Sequence, residues 1–518
     1  MALHPRLLQD GGPDFVYVAV TYEDRVRPAD PRVAAENSPF RHLYAKVVRL
    51  RYERISETLV EPTTLLDGLP AGNDHIALRL AFAPDATLHL TTGDQGNGQF
   101  GNFCNPALSQ RLPTAAEVEA RDWSAYEGKT LRMTLDGGIP ADNPTLDGVR
   151  SHVYTYGHRN PQGITVGAGS VYTSDHGPKS DDEVNVLRTG GNYGWPRVAG
   201  LRDGMAYEYA RWHDATVPCR SLEFSDLAVP ASVPRDPESS FTAALTAPLT
   251  TLFTVPTGYQ FADPVCGGVH SICWPTVGAS SIEWYEGAAI PGWDRALIVS
   301  SLKKGSLYVV PVDASGQRVA GPVSREARTE NRYRDTAVSA DGRTIYVATD
   351  GGGLVEALGG GVSKQLANPG AILAFTYAGE APAVVATSAT ARPVTPVGRA
   401  VDRRAGPTAP SPPFTVAQAR AGKAAYDASC AVCHGTTLTN GAYGTPLAGP
   451  YFRTQWSGKP VSALFEKTRT TMPPTGAGTL PAQTYAAIVA YLLEVNGGVP
   501  STVELPSAPA ALRTSRIP

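Results

Sequence analysis

The sequence predicts a mainly β protein, a β-propeller, that ends in a small all-α domain. Three observations predict it. Short alternating strands punctuated by Gly, Pro, Asp and Asn fill residues 1–378, a Pro/Ala-rich stretch follows at 379–413, and helical periodicity begins at Phe414 around a Cys-x-x-Cys-His motif. The 518 residues include 52 Gly and 44 Pro, above ordinary usage, which suits a fold with many turns. Basic side chains number 45 and acidic ones 48, for a net charge of −3. With no Lys/Arg run, that balance excludes a broad nucleic-acid surface. No apolar stretch approaches the length of a membrane span, and 42% hydrophobic content excludes a disordered or fibrous chain.

Runs at 16–20, 88–90 and 344–348 read as strands bounded by turn residues. Several share one pattern of turn, strand and polar loop. Pro84-Asp85 leads through 88–90 into Gly93-Asp94-Gln95-Gly96, and Asp341-Gly342 leads through 345–348 into Asp350-Gly351-Gly352. Val171-Tyr172 runs into Ser174-Asp175-His176-Gly177-Pro178. An imperfect repeat of this kind predicts propeller blades, whose loops gather around one axis.

Of the six cysteines, two stand in Cys430-Ala431-Val432-Cys433-His434, the attachment pattern of c-type haem. The thiols form thioethers to the haem vinyls and His434 ligates iron. A redox Cys-x-x-Cys or half a zinc site would use the same residues, but zinc wants a second ligand pair and this segment has no other Cys or His. Residues 414–499 resemble a class I cytochrome c, with helices at 415–429 and 484–494. Met472, the only Met of the segment, lies 38 residues after His434 in Thr471-Met472-Pro473-Pro474 and is the expected sixth ligand; five-coordinate iron is the alternative. Haem c is attached outside the cytoplasm, which predicts a periplasmic or secreted protein. Yet Met1-Ala2-Leu3-His4-Pro5-Arg6 lacks the charged head and apolar core of a signal peptide. The linker at 379–413 reads as extended, and its 35 residues reach at most about 115 Å and average about 33 Å when flexible. Residues 500–518 read as a tail, disordered from Pro506 to Pro518.

Eight collinear segments between residues 3 and 378 carry a resemblance. They are Asp74-His75, Gly93-Asp94-Gln95-Gly96 with Gln99, Gly157-His158-Arg159-Asn160-Pro161-Gln162-Gly163, Gly177-Pro178-Lys179-Ser180-Asp181-Asp182-Glu183, Gly190-Gly191-Asn192-Tyr193-Gly194-Trp195-Pro196, Cys273-Trp274-Pro275-Thr276, Ser301-Leu302-Lys303 and Asn331-Arg332-Tyr333-Arg334-Asp335. Together they resemble the soluble quinoprotein glucose dehydrogenases, six-bladed propellers that use pyrroloquinoline quinone (PQQ) and calcium.

The resemblance implies oxidation of an aldose at C1 to the lactone, with His75 as general base, Asp94 as its orienting partner and Arg159 beside the reacting quinone oxygen. It places Asp74 and Gln99 at the sugar. Arg159, Asn160, Trp274, Thr276, Lys303, Arg332 and Arg334 would bind PQQ, whose three carboxylates need cations. Calcium would take the carbonyls of Gly177 and Pro178, and a further calcium cluster near a homodimer interface would draw on Ala199, Leu201, Asp203 and Glu238. A disulfide joins Cys266 to Cys273 by the same match; Cys104 and Cys219 are the leftover pair. The acidic run 181–183 is left unassigned.

Three departures stand out. The family's first blade, with an active-site Gln, is not matched, so an incomplete blade near the N-terminus is expected. Ser271 replaces a tyrosine of the sugar pocket, which leaves the sugar open. The haem domain is an addition, and it implies that electrons pass from PQQ to haem and on to a downstream acceptor. The alternatives are a broader aldose or alcohol dehydrogenase, a non-catalytic sugar-binding propeller tethered to a cytochrome, and an inactive truncated product.

Overall fold

A computed structural model describes residues 1–32, 39–266, 268–379, 413–434, 438, 447–472 and 478–517. Most of the expected linker, 380–412, lies outside the described residues. The chain divides into two compact units, Met1–Phe375 and Thr376–Pro518.

The first unit is built from five sheets taken in chain order, three of them with a short two-stranded ribbon inserted between strands. The first runs Ala2–Leu3, Phe15–Glu23, Leu43–Glu53, Thr58–Pro70; the second pairs Ala77–Phe82, Leu88–Thr92, Lys129–Met133 and Val153–Tyr156. Strands Gly163–Gly167, Ser170–Asp175, Asp182–Val186 and Thr250–Leu252 form the third, and Ala279–Glu286, Arg295–Ser301, Leu307–Pro311 and Ser324–Glu326 the fourth. The fifth has three strands, Tyr333–Val338, Thr344–Thr349 and Ile372–Thr376. Apolar side chains fill the spaces between neighbouring sheets. Tyr17, Val47, Leu66, Leu90 and Leu131 lie in one buried cluster, and Tyr172, Val184, Ile282, Val299 and Tyr308 in another.

The described residues therefore form five blades, not the six expected. The N-terminal sheet carries four strands, with Ala2 opposite Tyr17 and Leu3 opposite Val16. The sheet short of a strand is the last in chain order, so the expected incomplete blade near the N-terminus is corrected. Six further short strands pair off as three two-stranded ribbons, Thr145–Leu146 with Val149–Arg150, Glu208–Ala210 with Arg235–Pro237 and Val355–Glu356 with Val362–Ser363, and build no sixth blade. The inner strands converge on Arg79, which donates to Asp335 Oδ2 at 2.7 Å and to the Gln162 carbonyl at 2.9 Å.

In the second unit, helices Val416–Ser429, Gly449–Trp456, Val461–Thr471 and Ala482–Val495 enclose one apolar core. The first and last cross closely because residue 422 is Gly, where a Cβ would collide with the Ala487 carbonyl. Residues 500–517 are not a loose tail, which corrects that expectation. Leu505, Leu512 and Ile517 are buried in the core, and Gln418 brackets the Leu505 backbone with bonds of 2.9 and 2.7 Å. These three apolar anchors recover enough buried surface to order the segment. Among the described residues no helix is long and apolar enough to cross a membrane.

Candidate active site

The site assembles from loops at the ends of inner strands. His75 sits one turn before Ala77–Phe82 with a left-handed backbone, φ 42°, a strained conformation that marks functional positions when the surroundings impose it. Gly93 allows the approach of the next loop, because a Cβ there would strike the His75 carbonyl. That loop brings Asp94, fully buried, to His75: Nδ1 and Oδ1 are 2.7 Å apart. With its Nδ1 proton donated to Asp94, His75 presents the Nε2 lone pair as a proton acceptor. Asp74 caps the His75 backbone N–H at 2.9 Å.

Asp94 accepts four donors. Oδ1 also takes the Gly96 N–H at 2.8 Å, while Oδ2 takes the Trp195 indole N–H at 2.7 Å and the Gln99 amide at 3.4 Å. The Gln99 carbonyl oxygen accepts from Arg159 Nε at 3.1 Å, so Gln99 bridges Arg159 and Asp94. Arg159 and Asn160 are fixed through their backbone N–H groups, which donate to Asp175 at 3.3 and 2.6 Å. Asp175 also faces the His158 ring at 3.2 Å.

The expected cations fall into two kinds. Arg159 and Lys303 are buried and bond only neutral acceptors: Arg159 reaches Gln99 and the His176 carbonyl, and Lys303 reaches the Ser271 carbonyl at 2.7 Å and Thr276 Oγ1. Burial first, then the neighbouring Lys304, pushes the Lys303 ammonium well below its ordinary pKa. Arg332 and Arg334, by contrast, share Asp350 at 3.1 and 2.7 Å. Trp274 donates its indole N–H to the Phe261 carbonyl at 3.1 Å, and Lys303 Nζ stands 5.8 Å from its ring centre. Cys266 is joined to Cys273 and Cys104 to Cys219.

Gly177, Pro178 and Ala199 line a narrow cleft with Arg159, Asp175, His176 and Trp195. Burial, reinforced by Arg159, pushes the His176 imidazole well down, and its Nε2 is buried with no hydrogen-bond partner. The Glu238 carboxylate takes the backbone N–H groups of Ala199 and Gly204 at 3.1 and 3.0 Å. The Leu201 carbonyl accepts the Asp203 N–H at 2.8 Å. Among the described residues no three carboxylate, thiolate or imidazole groups come together as a metal-holding set.

In the second unit, His434 is buried and its N–H bonds the Cys430 carbonyl at 2.9 Å. Met472 follows helix Val461–Thr471, its carbonyl held by the Tyr485 hydroxyl at 2.7 Å. The Cys433 side chain and residues 473–477 lie outside the described residues.

Sequence reasoning passed over Trp195, Asp175 and His176. All three stand inside the quoted segments or beside them, and the only available signal was that a Trp or His in a Gly-rich loop has little core to fill.

Residues 15–217 and 260–356 match the model of a family described as glucose / sorbosone dehydrogenase. Residues 417–492 match that of cytochrome c oxidase, cbb3-type, subunit III. The chain is 39% identical over 381 residues to quinoprotein glucose dehydrogenase B of Acinetobacter calcoaceticus, across 73% of this chain and 77% of the relative. It is 26% identical over 309 residues to the aldose sugar dehydrogenase YliI of Escherichia coli (strain K12), across 58% and 65%. The PQQ-bound aldose sugar dehydrogenase of Streptomyces coelicolor aligns over 67% of this chain and 72% of its own, with a TM-score of 0.41 and 22% identity.

Proposed function

Because the chain belongs to the glucose / sorbosone dehydrogenase family and carries a C-terminal cytochrome c domain, we propose that it oxidises a glucose-like aldose at C1 to the lactone and delivers the electrons to its own haem. The observation that carries this reading is the His75–Asp94 pair beside Arg159 and Lys303, two buried cations whose side chains hydrogen-bond only neutral oxygens among the described residues.

Such a set fits a polyanionic cofactor, since a buried cation is costly until an anion meets it. Arg159, Asn160, Trp274, Thr276, Lys303, Arg332 and Arg334 would hold PQQ, and the carbonyls of Gly177 and Pro178 would hold calcium. When bound, PQQ supplies the hydride acceptor and calcium polarises it. His75 Nε2 takes the proton of the C1 hydroxyl, and Asp94 keeps the other ring nitrogen protonated and stabilises the imidazolium. Asp74 and Gln99 flank the sugar. Arg159 stabilises charge that develops beside the substrate.

Cys430, Cys433 and His434 would hold haem c with Met472 as sixth ligand, on a domain spanning 414–499 and tethered through 379–413 to the propeller at 1–378. A downstream acceptor takes the electrons. The two disulfides and haem c favour a periplasmic or secreted location. The set Ala199, Leu201, Asp203 and Glu238 remains the proposed place for further calcium at a homodimer contact.

Ser271, half-buried beside Lys303, favours a second reading of broader aldose or alcohol specificity. Both readings are tested by reconstituting the chain with PQQ and Ca²⁺ and following haem reduction across a panel of sugars and alcohols. Reduction by aldoses, glucose among them, is the expected result. No reduction by any of them would overturn the proposal.

A further inference from the structure

We propose that Trp195 is a positioning residue of the reaction, whose indole N–H holds the Asp94 carboxylate in the orientation that keeps the Nδ1 proton on His75. The inference rests on the reading of His75 as the base.

Asp94 is fully buried, so no water solvates its charge, and each oxygen depends on protein donors. Oδ1 is turned to His75 and the Gly96 N–H. Oδ2 has two donors of unequal quality: the Trp195 indole at 2.7 Å and the Gln99 amide at 3.4 Å. The second is at the edge of a hydrogen bond, and Gln99 is also drawn toward Arg159. Trp195 is therefore the principal donor to Oδ2. It is itself buried and anchored through its backbone, donating N–H to the Gly157 carbonyl at 3.0 Å and accepting from the Gln110 amide at 2.8 Å. Its ring stands 5.4 Å from the Arg159 guanidinium. One side chain thus backs both the partner of the base and the nearest buried cation.

Without the indole N–H, Oδ2 is left with the long bond, the carboxylate is free to turn from His75, and the alternative tautomer, with the proton on Nε2, can no longer accept from substrate. The other charged or titratable groups around this pair are Asp74, 3.8 Å from His75 Nε2, and Arg159, His176, Glu127 and Tyr207. Arg159 and Tyr207 also stand against the Trp195 ring, 5.4 and 5.8 Å from it, and a Phe in its place keeps an aromatic face toward both.

The test is Trp195→Phe in the full chain, alone and combined with Asp94→Asn. The single variant should lose about 10- to 100-fold in kcat with little change in KM, an effect the size of one charged hydrogen bond. The acid limb of its kcat/KM profile should move by about half a pH unit or more. In the Asp94→Asn background the same substitution should cost less than about threefold more, because residues acting through one another are not additive. A folded Trp195→Phe chain with an unshifted profile, or full additivity, overturns the proposal. If the Phe variant fails to fold, the wild-type indole proton of Trp195 is followed by NMR: it should respond to pH across the acid limb, and an insensitive resonance overturns the proposal. If His75→Ala keeps wild-type activity, it is the assignment of the base that fails, whatever Trp195 does.

Discussion

Positive charge is met in two ways, by neutral oxygens in one set of side chains, the centre, and by carboxylates in another, the rim. At the centre, Arg159 and Lys303 meet carbonyl, amide and hydroxyl oxygens. At the rim, Arg332 and Arg334 share Asp350, and Lys304, Arg325 and Arg328 converge on Glu356. Neutral acceptors satisfy geometry but leave the field of the cation open, so the centre is prepared for an anion. Carboxylates cancel much of the field, so each rim cation has less to offer an incoming anion than Arg159 or Lys303. The same residue types therefore carry different meaning in the two places.

The largest expected break comes at the centre. His75→Ala should lower sugar oxidation by about 10²- to 10⁴-fold, the range of a missing general base, while PQQ titration of the apo-protein stays within a fewfold of wild type. Next is the rim. Glu356→Gln removes the carboxylate on which three cations converge and should cost about 3 kcal/mol of stability, measured by urea unfolding. The neighbouring cations hold the Glu356 carboxyl down to about 2, against an ordinary value of 4.5. Its contribution is therefore complete above the ordinary value and lost as pH falls from 4.5 toward 2. The Gln variant should show a weaker loss of stability across that acid window, and an equal loss would mean that Glu356 is not the responsible group.

Smaller effects sharpen the contrast. Lys303→Met keeps the length of the side chain but removes its charge, and should weaken PQQ binding by about 10- to 100-fold, read by fluorescence quenching. Arg332→Met, where Asp350 still has Arg334, should weaken it by less than about fivefold. Equal losses from the two would erase the distinction between centre and rim.

The haem motif and the active-site segments were legible because their chemistry needs neighbours in sequence. The two cysteines and the histidine proposed to hold haem fit about one helical turn at 430–434, and the close approach of Gly177 to the Ser180 carbonyl lies within one short loop. The approximate helices at 415–429 and 484–494 were also legible, since a 3.6-residue period is local. Blade number was not, because it depends on which strands find a partner, and the third strand of the last sheet arrives only at Ile372–Thr376. The tail was misjudged for a similar reason: Leu505, Leu512 and Ile517 have no helical or strand period and gain meaning only from the core that receives them.

By itself the sequence determined the architecture class, the family and the presence of a cytochrome c domain, and it supplied the residues proposed for proton transfer, anion binding and haem attachment. Tertiary structure alone decided which partners those residues have. Trp195 reaches Asp94 across 101 positions, Arg79 reaches Asp335 across 256, and Lys303, unlike Arg332, hydrogen-bonds neutral oxygens rather than a carboxylate. The reason is that hydrogen bonds and ion pairs act over a few ångströms of space, whereas the local patterns that propensity and periodicity encode extend over only a few residues of chain.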